Sequence, residues 1–289
     1  MFFLLMPASA AVARQAAESP DAQHLGSYRW AHDHPDFGGL SGLELAADGS
    51  SLITISDRGM IFTADIARDG AGVITAITLT GMRRQRDVDG QPLGPGLRDS
   101  EGLAQLEDGT LCISYEGPAR ILCHPPGADR PHQIPDHPAF ATLPVNGALE
   151  ALAVDRHGRL YTLPERSGRH DAPFPVWRRD GQGWQTVAKI RRDAGFLAVG
   201  ADFGPDGRFY LLERGFNGIG FRSRVRSFLP DDAGWHDERL HLQTRILQHD
   251  NLEGISVWRD RAGRIRLSLV SDDNFRRLQR TEIVEYVID

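Results

Sequence analysis

The chain repeats itself five times, and a repeat at a fixed spacing restricts the fold more than any single residue does. The copies are Ser41-Gly-Leu-Glu-Leu-Ala-Ala-Asp48-Gly49, Glu101-Gly-Leu-Ala-Gln-Leu-Glu-Asp108-Gly109, Glu150-Ala-Leu-Ala-Val-Asp-Arg-His157-Gly158, Val199-Gly-Ala-Asp-Phe-Gly-Pro-Asp206-Gly207 and Glu253-Gly-Ile-Ser-Val-Trp-Arg-Asp260, the last reaching Gly263 after a short insertion. Each reads as a strand followed by a tight turn, in which the Asp-Gly or His-Gly pair is expected to supply the positive-φ positions. A second strand follows and ends in acid, at Asp57, Glu116, Glu165, Glu213 and Asp272. The first and last copies start about 212 residues apart over four intervals, a mean period of about 53, which is the spacing of propeller blades.

Each unit has room for two further strands, for example residues 61–67 with 73–80, or 175–178 with 184–190. Four strands per unit make a propeller blade. The expected fold is therefore an all-β β-propeller of five four-stranded blades, forming a single domain over residues 21–289. A six-bladed ring is the alternative, with a hidden unit in the long interval between Ser41 and Glu101. The last unit holds only three strands, ending at residues 282–288, so residues 27–30 are expected to add the fourth and close the ring without an open edge. The 31 Gly and 17 Pro fit a chain of many turns and short strands.

With 33 basic residues against 39 acidic ones, the net charge is −6, and a sequence-independent nucleic-acid binder needs the opposite balance. Residues 1–20 open on an apolar run followed by Ala-x-Ala-like small residues, the pattern of a signal peptide, so an exported protein, periplasmic or secreted, is expected. No later run is long enough to span a membrane. Cys112 and Cys123 lie on what read as adjacent strands; a cross-strand disulfide and two buried thiols are both compatible with that placing.

The start of a blade's first strand and the end of its second lie on one face of the disc. Glu101, Glu150 and Glu253 occupy the first place; Asp57, Glu116, Glu165, Glu213 and Asp272 occupy the second. Carboxylates brought so close cannot all stay ionised without positive charge. Two sources are at hand. One is arginine from the same loops, Arg58, Arg98, Arg166, Arg214 and Arg276, in which case the acids serve the structure alone. The other is a hard cation such as calcium, which accepts six to eight oxygen ligands and could also use Asn146, Asn251 or Asn274.

The same segments resemble the phytase-like family of exported propeller proteins, described by esterase-like activity. The matching stretches are Gly39-Leu-Ser-Gly-Leu43, Ser56-Asp-Arg-Gly59, Arg98-Asp-Ser-Glu-Gly-Leu-Ala104, Asn146-Gly-Ala-Leu-Glu-Ala-Leu-Ala153, Gly200 to Gly207 with Leu212-Glu-Arg214, and Asn251-Leu-Glu-Gly-Ile-Ser256 with Ser271-Asp-Asp-Asn-Phe275. The resemblance implies a calcium-associated propeller that hydrolyses a phosphate ester or another ester. The chain departs from the pattern in two places: Ala151 replaces the Gly that follows Glu elsewhere, and Val199 replaces the Glu.

The expected chemistry is metal-assisted attack by water on an anionic small-molecule ester. Calcium would be held by Asp57, Glu101, Glu116, Glu150, Glu165, Glu213, Glu253 and Asp272 or some of them, with Arg58, Arg166 and Arg214 on the substrate's oxygens. Glu101, Glu150 and Glu253 are the candidates for the base. The alternatives are a non-enzymatic propeller that binds a ligand or partner at the same face, and a calcium hydrolase of the sugar-lactonase type. Ser41 lacks the second Gly of a Gly-x-Ser-x-Gly elbow, which disfavours a serine esterase. His32 and His34 have no third metal ligand nearby in sequence.

Overall fold

Among the described residues, twenty strands pair into five antiparallel sheets of four, and each sheet carries one copy of the repeat. The structure is a computed structural model that describes residues 20–193, 195–231 and 234–288. The leader expected at the N-terminus lies outside them. After the N-terminal strand β1 (Gln23–Arg29), blade 1 holds β2 (Leu40–Leu45), β3 (Ser51–Ser56), β4 (Met60–Arg68) and β5 (Ile74–Arg84). Blade 2 holds β6 (Ser100–Gln105), β7 (Leu111–Tyr115), β8 (Arg120–His124) and β9 (His132–Gln133). Blade 3 holds β10 (Ala151–Val154), β11 (Leu160–Leu163), β12 (Phe174–Asp180) and β13 (Gly183–Ile190). Blade 4 holds β14 (Leu197–Phe203), β15 (Phe209–Phe216), β16 (Phe221–Asp231) and β17 (Gly234–Gln243). Blade 5 holds β18 (Asn251–Arg259), β19 (Ile265–Asp272) and β20 (Glu282–Ile288).

The fourth strand of blade 5 is β1, which pairs antiparallel with β20 from Gln23 opposite Val287 to Arg29 opposite Glu282. The first and last described strands thus share one sheet, and the ring closes as the short last unit requires. Five blades form the ring, not six. The long interval before Glu101 is spent on the eleven-residue strand β5 and on the loop that follows it. The innermost strands β2, β6, β10, β14 and β18 neighbour one another round the axis. At the seam between blades 5 and 1, Arg68 and Arg266 both donate to Glu285.

Apolar side chains gather in five clusters, one at each interface between blades. They include Ile55 and Ile61 with Leu103 and Ile113, Ile121 with Leu152 and Trp177, and Phe174 with Phe209 and Leu211. The other two join Leu212 with Leu267 and Leu269, and Phe62 with Trp258 and Val270. Each blade is therefore covered on both faces, which explains the near-continuous apolar runs of its inner strands. A fully buried Leu or Phe contributes about 1.5–3 kcal/mol, so the interfaces dominate stability.

In the repeat's turns only the Gly takes positive φ, at +69° for Gly49, +85° for Gly109 and +80° for Gly207. The preceding Asp works differently from the expectation. Its carboxylate accepts the N–H two residues on, at 3.0 Å for Asp48 to Ser50 and 2.9 Å for Asp108 to Thr110. A second set of repeat glycines answers to crowding at the axis. A Cβ at Gly102 would stand 2.6 Å from Leu152 Cβ, and one at Gly254 would stand 2.5 Å from Ser41 O.

Cys112 and Cys123 sit directly opposite each other on β7 and β8 and are joined by a disulfide. The double variant Cys112→Ala/Cys123→Ala is expected to lose about 2 kcal/mol in urea unfolding, at the low end of native disulfides because the bond closes a short hairpin. Unchanged unfolding under strong reductant would contradict this.

Candidate functional site

Strand register, more than sequence spacing, decides which acids reach the channel mouth. In four of the five inner strands the pairing with the next strand shifts register at the repeat's opening residues, between Leu40 and Leu43, Ser100 and Leu103, Ala198 and Gly200, and Leu252 and Gly254. A bulge of this kind re-aims a side chain. The bulged positions are Ser41, Glu101, Val199 and Glu253, with Glu150 just before β10 in the fifth blade.

The second-strand column contains one exchange. Asp57 N–H donates to Gly39 O, Glu116 N–H to Asp99 O and Glu165 N–H to Ala148 O, while Asp272 lies opposite Asn251. In blade 4 the equivalent residue, opposite Leu197, is Arg214. Glu213 lies one residue earlier, opposite Ala198, and a shift of one residue along a strand turns a side chain to the other face. Glu213, expected among the metal-binding acids, therefore does not join them. It is completely buried between Arg224 and Arg226 of β16, accepting from the Nε of each at 2.7 Å.

A third column supplies what the sequence reading overlooked. Two residues before the bulge come Gly39, Asp99, Ala148, Leu197 and Asn251. One carboxylate oxygen from each of Asp99, Glu101 and Glu116 lies within 4.8 Å of the others. Asp99 is in the segment Arg98-Asp-Ser-Glu101, and the two-residue period of a strand was the signal that could have placed it beside Glu101.

The mouth thus gathers eight carboxyls, Asp57, Asp99, Glu101, Glu116, Glu150, Glu165, Glu253 and Asp272, and the guanidinium of Arg214 lies among those of blades 3 and 5. Arg214 donates to Glu165 Oε1 at 2.9 Å, to Asn251 Oδ1 at 2.9 Å and to Glu253 Oε1. Glu116 Oε1 accepts the N–H groups of Gly147 and Ala148. Asn251 Nδ2 donates to Glu253 at 2.8 Å and to Asp272 at 3.2 Å. Asp57 Oδ1 is buried without a hydrogen-bond partner.

Arg166 meets Glu165 from the rim, and the charges of Arg58 and Arg98 oppose the rise of Asp57 and Asp99, yet these guanidinia with Arg214 are still fewer than the eight carboxyls. Burial first, then repulsion from Asp272 and Asp99, raises Asp57 to about 7. Burial raises Glu253 to about 8 even though Arg214 opposes it, and raises Asp272 to about 6. Glu101 and Glu150 are held well above the ordinary carboxylate range by burial and by their acidic neighbours, and Glu150 also shares a hydrogen bond with Glu116. Beneath the acids the axis is nearly filled: the cavity lined by Ser41, Glu101, Leu152, Val199 and Ile255 measures about 10 Å³, room for one water at most. The site is a cup open at one end.

The expected substrate arginines take different places. Arg214 is enclosed by acids, with 18% of its side chain exposed. Arg166 forms an ion pair with Glu165, Nε to Oε2 at 3.0 Å, and keeps half of its side chain exposed. Arg58 lies 3.2 Å above the Phe275 ring and donates to Pro35 O. Ser41 Oγ donates to Ser100 O, and His32 and His34 each accept a backbone N–H through Nδ1, so all three serve local structure.

The model of a family described as phytase-like, esterase-like activity of phytase, matches residues 35–275. No curated protein matches the chain. Among solved structures, a luciferin-regenerating enzyme is 11% identical with a TM-score of 0.52, the alignment covering 92% of this chain and 96% of that one. A gluconolactonase from Xanthomonas campestris is 14% identical with a TM-score of 0.49 over 95% and 98%. The first likeness shows the fold alone, and the second carries no argument. Among the described residues, no helix is long and apolar enough to cross a membrane.

Proposed function

The chain belongs to the phytase-like family, and on that premise we propose that it is an exported hydrolase of a carboxylic or phosphate ester, acting at the acidic cup with calcium as cofactor. The observation that carries the reading is a cup, closed at its base, in which eight carboxyls outnumber the guanidinia of Arg214, Arg166, Arg58 and Arg98 that act on them. The donor set fits calcium: it is all oxygen, three of its members lie within 4.8 Å of one another, and the buried Asp57 Oδ1 lacks a partner. Asp99, Glu101 and Glu116 would hold the ion, with Glu150 beside them. Once bound, calcium supplies positive charge for an anionic substrate and for charge developing on its oxygens.

The remaining residues divide the other tasks. Glu253 is oriented by Arg214 and Asn251; burial raises its carboxyl to about 8 in the metal-free protein, and the positive charge of bound calcium would favour the carboxylate that takes a proton from the attacking water. Arg214 fixes that carboxylate and is a positioning residue. Arg58 and Arg166, at the rim with accessible guanidinia, contact the oxygens of the substrate. Export is supported by the Cys112–Cys123 bond, which persists in an oxidising compartment such as the periplasm or the exterior.

The test is turnover of 4-nitrophenyl acetate, 4-nitrophenyl phosphate and a sugar lactone, with calcium and after treatment with EDTA. Glu253→Gln is expected to lower kcat on the hydrolysed ester by about 100-fold or more while the protein stays folded. Full turnover after EDTA would remove calcium from the reaction. Turnover of the lactone alone would make the protein a lactonase, and calcium binding with no turnover at all would make it a ligand-binding propeller.

A further inference from the structure

Beside the acid ring lies an open, mostly apolar cleft of about 720 Å³, walled by Leu143, Pro144, Pro164, Pro173, Pro175 and Trp177. Its size and lining are those of a small-molecule site. Proline walls suit that use: they are rigid, and they present no backbone N–H that a bound apolar group would leave unsatisfied. Trp177 is held from behind by Phe140 and His137, whose ring centroids each lie 5.4 Å from its own. The concavity is therefore built in advance of any ligand.

Two chain segments run from this cleft into the ring. Leu143 and Pro144 form one wall, and a few residues on, Gly147 and Ala148 donate their N–H groups to Glu116. Pro164 forms another wall, and the next residue, Glu165, receives Arg214. Arg166 belongs to both, lining the cleft while its Nε is ion-paired with Glu165. Lys189, the only lysine among 33 basic residues, is exposed and lines the cleft from β13. The lining is thus apolar walls with two cations, one of them at the border of the acidic cup.

We propose that this cleft is the subsite for the apolar group of an amphipathic, anionic ester. The alkyl or aryl body lies across the prolines and Trp177, and the ester reaches the acid ring past Arg166. The proposal rests on the ester-hydrolase reading for its reaction but not for its binding.

Two measurements test it on the whole protein. The first is titration with 8-anilinonaphthalene-1-sulfonate, an apolar anion that needs no turnover, against wild type, Thr142→Trp, which fills the cleft, and Leu143→Asp, which charges it. Affinity is expected to fall at least about tenfold in both variants, and Lys189→Glu is expected to weaken it as well. Thermal melting confirms that each variant is folded. The second is the ratio of kcat/KM for 4-nitrophenyl octanoate over 4-nitrophenyl acetate. It is expected to be about 100 in wild type and to collapse toward unity when the cleft is filled. Probe binding lost in the cleft variants of a protein that hydrolyses neither these esters nor 4-nitrophenyl phosphate nor the lactone supports the cleft and defeats the hydrolase reading. Hydrolysis without chain-length preference, with probe binding indifferent to both variants, overturns the cleft and leaves the hydrolase standing. Absence of both probe binding and chain-length preference also overturns it.

Discussion

Calcium is expected to raise the unfolding midpoint far more at pH 8 than at pH 5. In the metal-free protein Asp272, Asp57 and Glu253 are raised to about 6, 7 and 8, and Glu101 and Glu150 are raised as well, by burial above all and then by one another. The unfolded chain releases these protons near pH 4, so between pH 4 and pH 8 the folded state holds more protons than the unfolded one. Stability then falls as pH rises. It is complete below about pH 4 and is lost as pH passes through the folded values, at about 1.4 kcal/mol per pH unit for each proton retained. Calcium takes the place of those protons, so its affinity grows over the same window, and at a concentration 100 times its Kd it adds about 2.7 kcal/mol. Denaturant midpoints of EDTA-treated and calcium-loaded protein from pH 4 to 9 should therefore diverge, the first falling and the second staying level. Magnesium, which demands a stricter octahedron, should close less of the gap. Parallel curves would leave the acid ring without a cation.

The fold was legible because the repeat is periodic at two levels. A spacing of about 53 residues fixed the blade, and the strand–turn–strand pattern inside each copy fixed its inner hairpin. The missing fourth strand of the last unit pointed to β1, which pairs with β20 in the structure. The acid ring was legible as a face of the disc but misjudged in two members, and both misjudgements concern register. Glu165-Arg166 and Glu213-Arg214 look alike as dipeptides. Counted from the turn glycines Gly109, Gly158 and Gly207, however, the ring residue is the seventh in each case: Glu116, Glu165 and Arg214. Asp99 escapes the repeat because the recurring motif begins at the bulged Glu101, and its column, two residues earlier, holds a different residue type in each blade. The apolar cleft had no local signal, since Leu143, Pro164 and Trp177 belong to separate segments that only the packing of blades 2 and 3 brings together.

Glu213→Ala is expected to destabilise the protein by about 3–5 kcal/mol while leaving the calcium response intact in whatever fraction remains folded. The Glu213 side chain is fully buried. Arg224 donates to it from Nε at 2.7 Å and from a terminal nitrogen at 2.8 Å, and Arg226 does the same. Arg224 also reaches Asp193, and Arg226 also reaches Glu238, but both of those acids are partly open to water. Removing Glu213 therefore leaves two desolvated guanidinia with only peripheral counter-charge, a loss far greater than the pair's net contribution. Replacing all three together, as Glu213→Leu with Arg224→Met and Arg226→Met, should recover most of the stability, because the cost lies in the uncompensated charge. Glu101→Gln should behave in the opposite way. It should raise metal-free stability at pH 8 by removing an acid that burial disfavours, and it should weaken the calcium response. Urea unfolding with and without calcium separates the two variants. A lost calcium response in folded Glu213→Ala would put Glu213 back among the ligands, which its position opposite Ala198 and its two arginines exclude.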